Sequence, residues 1–148
     1  MKSSRKSKPA LFFAIAIVGI VSTVTVFAGQ YGFYLNIPRT QGYAKTTDDT
    51  GNGYITGANS NHANVYLEGF SGISAVTFYA GAYSSNGSAT WGSSGGTIYK
   101  ADFESGENDE ATVPYAYTYG NGQKMGLRAR NHNWSLNSGG VSGVVDYH

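Results

Sequence analysis

The sequence predicts an all-β fold, an antiparallel β-sandwich of about eight to ten short strands preceded by a helical signal peptide. Several segments alternate apolar and polar residues with a period of two, as half-buried strands do. Clusters of glycine, serine and asparagine separate these segments at short intervals, which is typical of turns in a sandwich. The chain has 21 glycines and twelve tyrosines, and no segment after the leader shows a helical period.

The first 28 residues have the pattern of a secretory signal. An apolar stretch over Ala10–Val21 is followed by Val26-Phe27-Ala28, which offers a cleavage site. The basic residues that precede this stretch are Lys2, Arg5, Lys6 and Lys8. Cleavage after Ala28 leaves residues 29–148 as a single secreted domain. An uncleaved N-terminal anchor is the alternative, because Ser22–Phe27 stays fairly apolar.

Charge and cysteine content indicate the compartment. Four of the ten basic residues lie in the leader and none of the nine acidic ones do, so six basic and nine acidic residues give the exported part a net charge of −3. This balance does not suggest nucleic acid as a partner. The chain has no cysteine, so disulfides and thiolate metal sites are excluded. An extracellular domain without disulfides favours a Gram-positive bacterium as the source.

The segment Ile73–Tyr83 is the longest apolar run after the leader, and we expect it to be the central strand. Its two faces carry Val76, Phe78, Ala80 and Ala82 on one side, and Ala75, Thr77, Tyr79, Gly81 and Tyr83 on the other. Neither face carries a charge. Such a strand is stable only in the middle of a sheet with both faces covered.

The other strands are predicted from the same alternation and from the turn signals between them. In Gln30–Ile37 the inward residues are Phe33, Leu35 and Ile37, and Pro38 ends the strand or limits it to a sheet edge. In His62–Glu68 the inward residues are Ala63, Val65 and Leu67. Weaker strands are predicted at Gln41–Thr47, Tyr54–Thr56, Thr97–Phe103, Trp134–Leu136 and Val141–Tyr147. Ser84–Gly96 is predicted to be a flexible loop with Trp91 as its anchor.

A hairpin is predicted where Ala111–Tyr119 and Gln123–Asn131 flank Asn121-Gly122, a pair that suits a type I′ turn. This register pairs Thr118 with Met125 and directs Ala116, Met125, Leu127 and Ala129 into the core. The opposite, exposed side is the predicted tyrosine–arginine face: Tyr115, Tyr117, Tyr119, Lys124, Arg128 and Arg130. A one-residue slip would bury the arginines, which supports the register. Pro114 indicates that the first strand has one unpaired side.

This predicted tyrosine–arginine face is the strongest candidate for ligand binding in the sequence. Tyrosine rings stack on sugars, and guanidinium groups hold phosphates or carboxylates through two hydrogen bonds. The partner would be a glycan or an anionic polymer of the cell wall, or an extracellular protein. Contact with a membrane is expected only through the signal segment before its cleavage. Ordinary cross-strand packing of tyrosine on arginine is the alternative explanation of the same residues.

The other residue patterns that could indicate metal binding or catalysis are weaker. The loop residues Asp48, Thr50 and Asn52 have the spacing of calcium ligands, but position twelve is Asn59 instead of glutamate and no helix flanks the loop. The histidines, His62, His132 and His148, have no metal-ligand spacing. An acidic loop with Glu107, Asp109 and Glu110 could supply paired carboxylates for glycan hydrolysis. We therefore expect no cofactor and a non-enzymatic protein.

Several short motifs resemble small secreted proteins of Gram-positive bacteria in the uncharacterised DUF2712-type group. They are the basic leader, the opening Tyr-Gly-Phe-Tyr-Leu-Asn-Ile, and Gly126–Asn131 followed by Ser142-Gly143. The resemblance covers most of the exported part. It implies a secreted protein near peptide-export systems, and it implies no functional residues.

Three functions follow as hypotheses. The first is a secreted, non-enzymatic β-sandwich that acts at the cell envelope or outside the cell by binding a glycan or an anionic wall polymer. The second is a secreted antagonistic or immunity-type protein of a bacteriocin system. The third is a glycan hydrolase that uses the acidic loop.

Overall fold

The computed structural model describes residues 29–105 and 109–148 of the chain. The predicted signal peptide and Glu107 lie outside these residues. Within the described residues the elements, in chain order, are β1 (Gln30–Ile37), β2 (Tyr43–Lys45), β3 (Gly53–Tyr54), β4 (Ser60–Ser71), β5 (Ala75–Tyr83), β6 (Ala89–Trp91), β7 (Gly96–Tyr99), α1 (Lys100–Ser105), β8 (Glu110–Tyr119), β9 (Lys124–Asn131) and β10 (Gly139–Asp146). None of the described helices is long and apolar enough to cross a membrane.

The strands form two antiparallel sheets that pack face to face, as the sequence predicted. One sheet has four strands in the order β1-β10-β4-β8. The other has six, with β2, β9, β5 and β6 in order, β3 also paired to β9 and β7 also paired to β5. Apolar residues from the inner faces of both sheets form one core, in which Phe33 of β1 meets Phe78 of β5 edge to face at 5.8 Å. The structure therefore confirms an all-β sandwich.

The central strand is confirmed. β5 lies between β9 on one side and β6 and β7 on the other, and only its last residue, Tyr83, is more than marginally exposed. Its inward residues contact the core, and its outward residues are covered by side chains from neighbouring strands. The edge positions predicted from proline are also confirmed, because β1 stops before Pro38 and both β1 and β8 are sheet edges.

The predicted hairpin is wrong. β8 pairs with β4 in the four-stranded sheet, while β9 pairs with β5, β2 and β3 in the six-stranded sheet. The turn between them carries the chain from one sheet to the other, and of Asn121 and Gly122 only Gly122 has a positive φ, 83°. A type I′ turn needs a positive φ at both positions. The turn is therefore a corner of the sandwich instead of a hairpin loop.

The alternation along β8 is also the reverse of the prediction. Ala111, Val113 and Tyr115 are buried, while Ala116 is only half-buried and Thr118 is exposed. This phase follows from the pairing of β8 with β4, in which Val113 lies opposite the buried Ala63. On β9 the prediction of the inward residues is confirmed, since Met125, Leu127 and Ala129 are fully buried.

Three shorter segments differ from the sequence prediction. The strand predicted over Thr97–Phe103 ends at Tyr99 and continues as α1, where Phe103 packs on Phe70 at 6.0 Å. Trp134–Leu136 forms no strand, and its Trp134 and Leu136 side chains are exposed. The loop predicted over Ser84–Gly96 contains β6, whose Trp91 anchors it on β5 as expected.

Candidate functional site

The structure divides the predicted tyrosine–arginine face between two surfaces. Its three tyrosines belong to β8 in the four-stranded sheet, and its three cations belong to β9 in the six-stranded sheet. The predicted pairing of Tyr115 with Arg128 does not exist. These six residues therefore do not form one binding surface.

The tyrosines of β8 contact one another instead of the arginines. Tyr119 lies between its neighbours, with ring centroids 5.9 Å from Tyr115 and 6.3 Å from Tyr117. Tyr115 is buried in the core, and this burial raises the pKa of its hydroxyl well above the usual value. Only Tyr117, with 68% of its surface exposed, is fully available to a ligand.

The cations of β9 find other aromatic partners on the outer surface of the six-stranded sheet. The guanidinium carbon of Arg128 lies 4.2 Å from the ring centroid of Tyr43, 4.8 Å from that of Trp91 and 5.2 Å from that of Tyr79. All three distances are within the range of cation–π attraction. We call this surface the aromatic–cationic face and define it by Tyr43, Lys45, Tyr79, Trp91, Arg128 and Arg130.

Strand register explains why these side chains meet. Along β9, Arg128 and Arg130 both point outward, because they alternate with Leu127 and Ala129, which point into the core. On one side β2 places Lys45 opposite Arg128 and Tyr43 opposite Arg130. On the other side β5 places Tyr79 opposite Arg128. Trp91 joins them from β6, where it lies opposite Gly81 of β5. The face is thus built from four neighbouring strands, β2, β9, β5 and β6.

Two glycines leave space for the rings of Tyr83 and Trp91 on the outer side of the sheet. A Cβ atom at Gly81 would lie 2.5 Å from the ring of Trp91, and one at Gly126 would lie 2.6 Å from the ring of Tyr83. Gly81 and Gly126 are register partners on β5 and β9. The missing side chains leave a shallow groove in which both rings rest, which holds Trp91 beside Arg128.

The face carries positive charge that the described residues do not neutralise. Arg130 lies 5.6 Å from the rings of Tyr43 and Tyr79, and Lys45 lies 5.9 Å from that of Trp91. No acidic side chain in the described part of the chain pairs with Lys45, Arg128 or Arg130. The Nε atoms of both arginines are buried without a hydrogen-bond partner there. These buried donors are not themselves open to a ligand, but the uncompensated guanidinium charge favours an anion at the surface.

A hydrogen-bonded cluster borders one end of the face. Thr77 Oγ1 lies 2.8 Å from His132 Nδ1 and 2.9 Å from Thr97 Oγ1. The ring of Tyr99 stands edge-on to that of His132, with centroids 5.5 Å apart. These side chains add hydroxyl and imidazole groups next to Arg130, since Thr77 is the register partner of Arg130.

At the other end Lys124 is neutralised. Its Nζ lies 2.6 Å from Asp48 Oδ1, and its ammonium lies 5.8 Å from the ring of Tyr83. Hydrogen bonding between the two charged groups raises the pKa of Lys124 and lowers that of Asp48. Lys124 borders a shallow depression that is also lined by Tyr54, Tyr83 and Gln123.

The ion pair between Lys124 and Asp48 also involves the loop whose residues have the spacing of calcium ligands. Asp48 Oδ1 accepts a hydrogen bond from Asn52 Nδ2 at 3.0 Å in addition to its contact with Lys124. Asn52 Oδ1 accepts from Thr46 Oγ1 at 2.6 Å, and Thr50 Oγ1 lies 3.0 Å from Thr47 Oγ1. One oxygen of each of these three side chains is thus engaged, and the Lys124 ammonium beside Asp48 would repel a cation. The structure gives no support to calcium binding here.

Acidic residues are concentrated on the opposite side of the sandwich. Asp146 and Glu110 lie on the outer surface of the four-stranded sheet, in the rows of Asn64 and Tyr66, and Glu68 borders the same surface. The predicted hydrolase residues Asp109 and Glu110 are both exposed. Across the described residues, no three His, Asp or Glu side chains form a group that could hold a metal. The two outer surfaces therefore carry opposite charge.

Comparison of the chain with protein-family models, with curated proteins and with solved structures finds no match. The resemblance to the DUF2712-type group therefore stays a prediction.

Proposed function

We propose that this protein binds an anionic polymer of the cell envelope, a glycan or polyol chain bearing phosphates or carboxylates, on its aromatic–cationic face. The observation that carries the proposal is the set of cations, Lys45, Arg128 and Arg130, that alternates with aromatic rings and has no described acidic partner. Guanidinium groups bind such anions well, and aromatic rings pack on the apolar faces of sugars.

The geometry also supports an extended ligand over a small one. The cations lie on neighbouring strands β2 and β9, on the outside of a sheet, instead of converging in a closed cavity. A polymer can cross several such rows and contact each cation with a successive anionic group. The acidic outer surface of the other sheet would repel the same polymer, which restricts binding to one side of the molecule.

The residues differ in what they contribute. Arg128 is held between three rings and half-buried, so its main effect is to fix the rings. Lys45 is exposed and Tyr43 is 40% exposed, so both are accessible to a ligand. Arg130 is only half-buried beside Tyr43, so part of its side chain also reaches the surface. Lys45, Tyr43 and Arg130 are therefore the proposed contact residues.

Retention on purified teichoic polymer and on peptidoglycan tests the proposal. We expect wild-type protein to bind the teichoic polymer at low salt and to be released as salt rises, because the attraction is screened. Lys45→Gln and Arg130→Gln should each weaken binding about fivefold, which corresponds to about 1 kcal/mol per exposed charge contact. Lys100→Gln, which removes the same charge at the start of α1, is the matched control.

Three results would contradict the proposal. One is absence of retention on any anionic polymer at low salt. The second is equal weakening by Lys45→Gln and Lys100→Gln, which would mean that only net charge matters. The third is binding to a neutral glycan that does not depend on salt. This result would mean that the rings bind the ligand without the cations, and it would contradict an anionic ligand.

A further inference from the structure

Two histidines that are 86 residues apart meet on the outer side of the four-stranded sheet. His148 Nε2 lies 3.0 Å from His62 Nε2, and the two rings stand edge to face with centroids 4.7 Å apart. β10 pairs with β4 so that Asp146 lies opposite Asn64. The same register, continued by two residues, places His148 opposite His62. The contact is thus a consequence of strand pairing.

Each ring has an oxygen acceptor beside its Nδ1 atom. His62 Nδ1 lies 2.7 Å from the side-chain oxygen of Asn61, which accepts hydrogen bonds. His148 Nδ1 faces Asp146 Oδ1 at 3.6 Å, and a carboxylate oxygen also acts as an acceptor. In the metal-free pair of neutral rings, the contact between the two Nε2 atoms is a hydrogen bond in which one ring is the donor. When a metal ion binds both Nε2 atoms, this proton moves to Nδ1 of its own ring, so that both Nδ1 atoms carry protons and face Asn61 and Asp146.

This arrangement matches the chemistry of histidine metal ligands. A ligating imidazole usually donates its other N–H to a carboxylate or carbonyl, which sets the tautomer and the ring direction. Two nitrogens bound tetrahedrally to Zn²⁺ at about 2.05 Å lie about 3.3 Å apart, so the pair would need to open by only a few tenths of an ångström. Both side chains are half-buried, which leaves room for water at the remaining positions.

The surroundings favour a divalent cation. Asp146 adjoins the pair, and Glu68 and Glu110 lie on the same outer surface of the sheet. The cationic residues Lys45, Arg128 and Arg130 belong to the other sheet. Imidazole nitrogen is a good ligand for Zn²⁺ and Cu²⁺ and a poor one for Ca²⁺ and Mg²⁺.

We propose that His62 and His148 form an open two-histidine site for a borderline divalent metal of the Zn²⁺ or Cu²⁺ class, with Asp146 as the residue that positions His148. Water completes the coordination. A bound ion would join His148, just after β10, to β4 and so stabilise this end of the pair of inner strands. The site is independent of the aromatic–cationic face.

Calorimetric titration of the untagged chain with Zn²⁺ tests the proposal, because the chain has three histidines and a tag would add more. We expect one ion per chain and a rise in the thermal midpoint, since the metal binds only the folded state. His62→Gln and His148→Gln should each weaken binding at least tenfold, and Asp146→Asn should do so by about tenfold. His132→Gln is the matched control, because it removes a histidine beside the other sheet.

Far-UV spectra of the metal-free variants establish that each one folds. Absence of Zn²⁺ binding to wild-type protein up to millimolar concentration would overturn the proposal. So would undiminished binding by folded His62→Gln and His148→Gln, or a loss in His132→Gln as large as theirs. Nitrogen couplings from two imidazoles in the Cu²⁺ spectrum of wild-type protein, absent from both variants, would support it independently.

Discussion

At the scale of single residues, Arg128 organises the outer surface of the six-stranded sheet. Its guanidinium contacts three rings from three different strands, β2, β5 and β6. Each such contact contributes about 0.5–1 kcal/mol at an exposed site and more when water is excluded. The contact depends on glycine at position 81, because any side chain there would displace Trp91.

Gly81→Ala tests this dependence. The new Cβ would lie 2.5 Å from the ring of Trp91, so the ring must move away from Arg128. We expect the free energy of unfolding to fall by about 1–3 kcal/mol, as is usual for overpacking. In a Trp134→Phe background Trp91 is the sole tryptophan, since the chain has two, and its emission should shift to longer wavelength as the ring becomes exposed.

Gly120→Ala is the control for this change. A Cβ atom at Gly120 would meet nothing within 4 Å, so its unfolding free energy should change by less than about 0.5 kcal/mol. Unchanged urea unfolding together with unchanged Trp91 emission in Gly81→Ala would show that the ring does not rest on this glycine.

At the scale of elements, pairing decides which residues share a surface. β8 and β9 are joined by a four-residue corner, yet they belong to different sheets. The Asn-Gly signal is local, and it cannot tell a hairpin from a corner. β8 pairs instead with β4, which precedes it by about 50 residues, because Ala111, Val113 and Tyr115 complete the core against Ala63 and Val65.

Cysteine pairs can report this pairing directly, because the chain has no cysteine of its own. Asn64 and Thr112 are register partners on β4 and β8, and their side chains are 3.4 Å apart. We expect Asn64→Cys with Thr112→Cys to form a disulfide on mild oxidation, since cross-strand Cα atoms lie within bonding range. The measurement is the mass and thiol content of the oxidised protein without reductant.

The hairpin predicted from the sequence, which the structure does not contain, supplies the control pair of cysteines. Its register would pair Thr118 with Met125, but Thr118 is exposed on the four-stranded sheet and Met125 is buried in the core on the six-stranded sheet. The Thr118→Cys/Met125→Cys pair should stay reduced. Rapid closure of this pair, with the β4–β8 pair still reduced, would restore the hairpin and reject the sheet order described above.

The difference between local patterns and long-range strand pairing explains what the sequence could and could not predict. Period-two alternation identified the inward residues of β1, β4, β5 and β9, because burial of one face is a property of each strand alone.

The aromatic–cationic face was missed because Tyr43, Tyr79 and Trp91 come from three separate segments, and only strand pairing unites them. A signal did exist in Tyr79-Ala-Gly81, where an outward glycine next to an outward tyrosine leaves space for a ring. The contact between His62 and His148 likewise depends on the pairing of β10 with β4.

At the scale of the whole molecule, the core joins the two sheets through tyrosine as well as aliphatic residues. Tyr147 is completely buried, and its hydroxyl donates a hydrogen bond of 2.8 Å to the carbonyl of Gly51. Burial raises the pKa of Tyr147 well above the usual value, and it also raises that of Tyr115. An ionised phenolate in this core would lack water, so the folded state keeps both groups protonated.

Because these two tyrosines are buried, the free energy of unfolding falls at alkaline pH. In the unfolded chain a tyrosine loses its proton near pH 10, whereas the buried ones keep it to higher pH. The unfolded state then binds fewer protons, so stability is complete below about pH 10 and falls above it by about 1.4 kcal/mol per pH unit for each such tyrosine. Urea midpoints measured in steps from pH 8 to pH 11.5 should show this decline.

Tyr147→Phe separates the two effects of the hydroxyl. At pH 8 the variant should lose about 1–3 kcal/mol, because the buried carbonyl of Gly51 loses its partner. Above pH 10 its stability should fall less steeply than that of wild-type protein, since one buried phenol no longer takes part in the proton balance. Tyr34→Phe, at an exposed position of β1, should keep the wild-type slope. If Tyr147→Phe keeps that slope as well, the alkaline loss does not come from the buried hydroxyl that links β10 to the loop at Gly51.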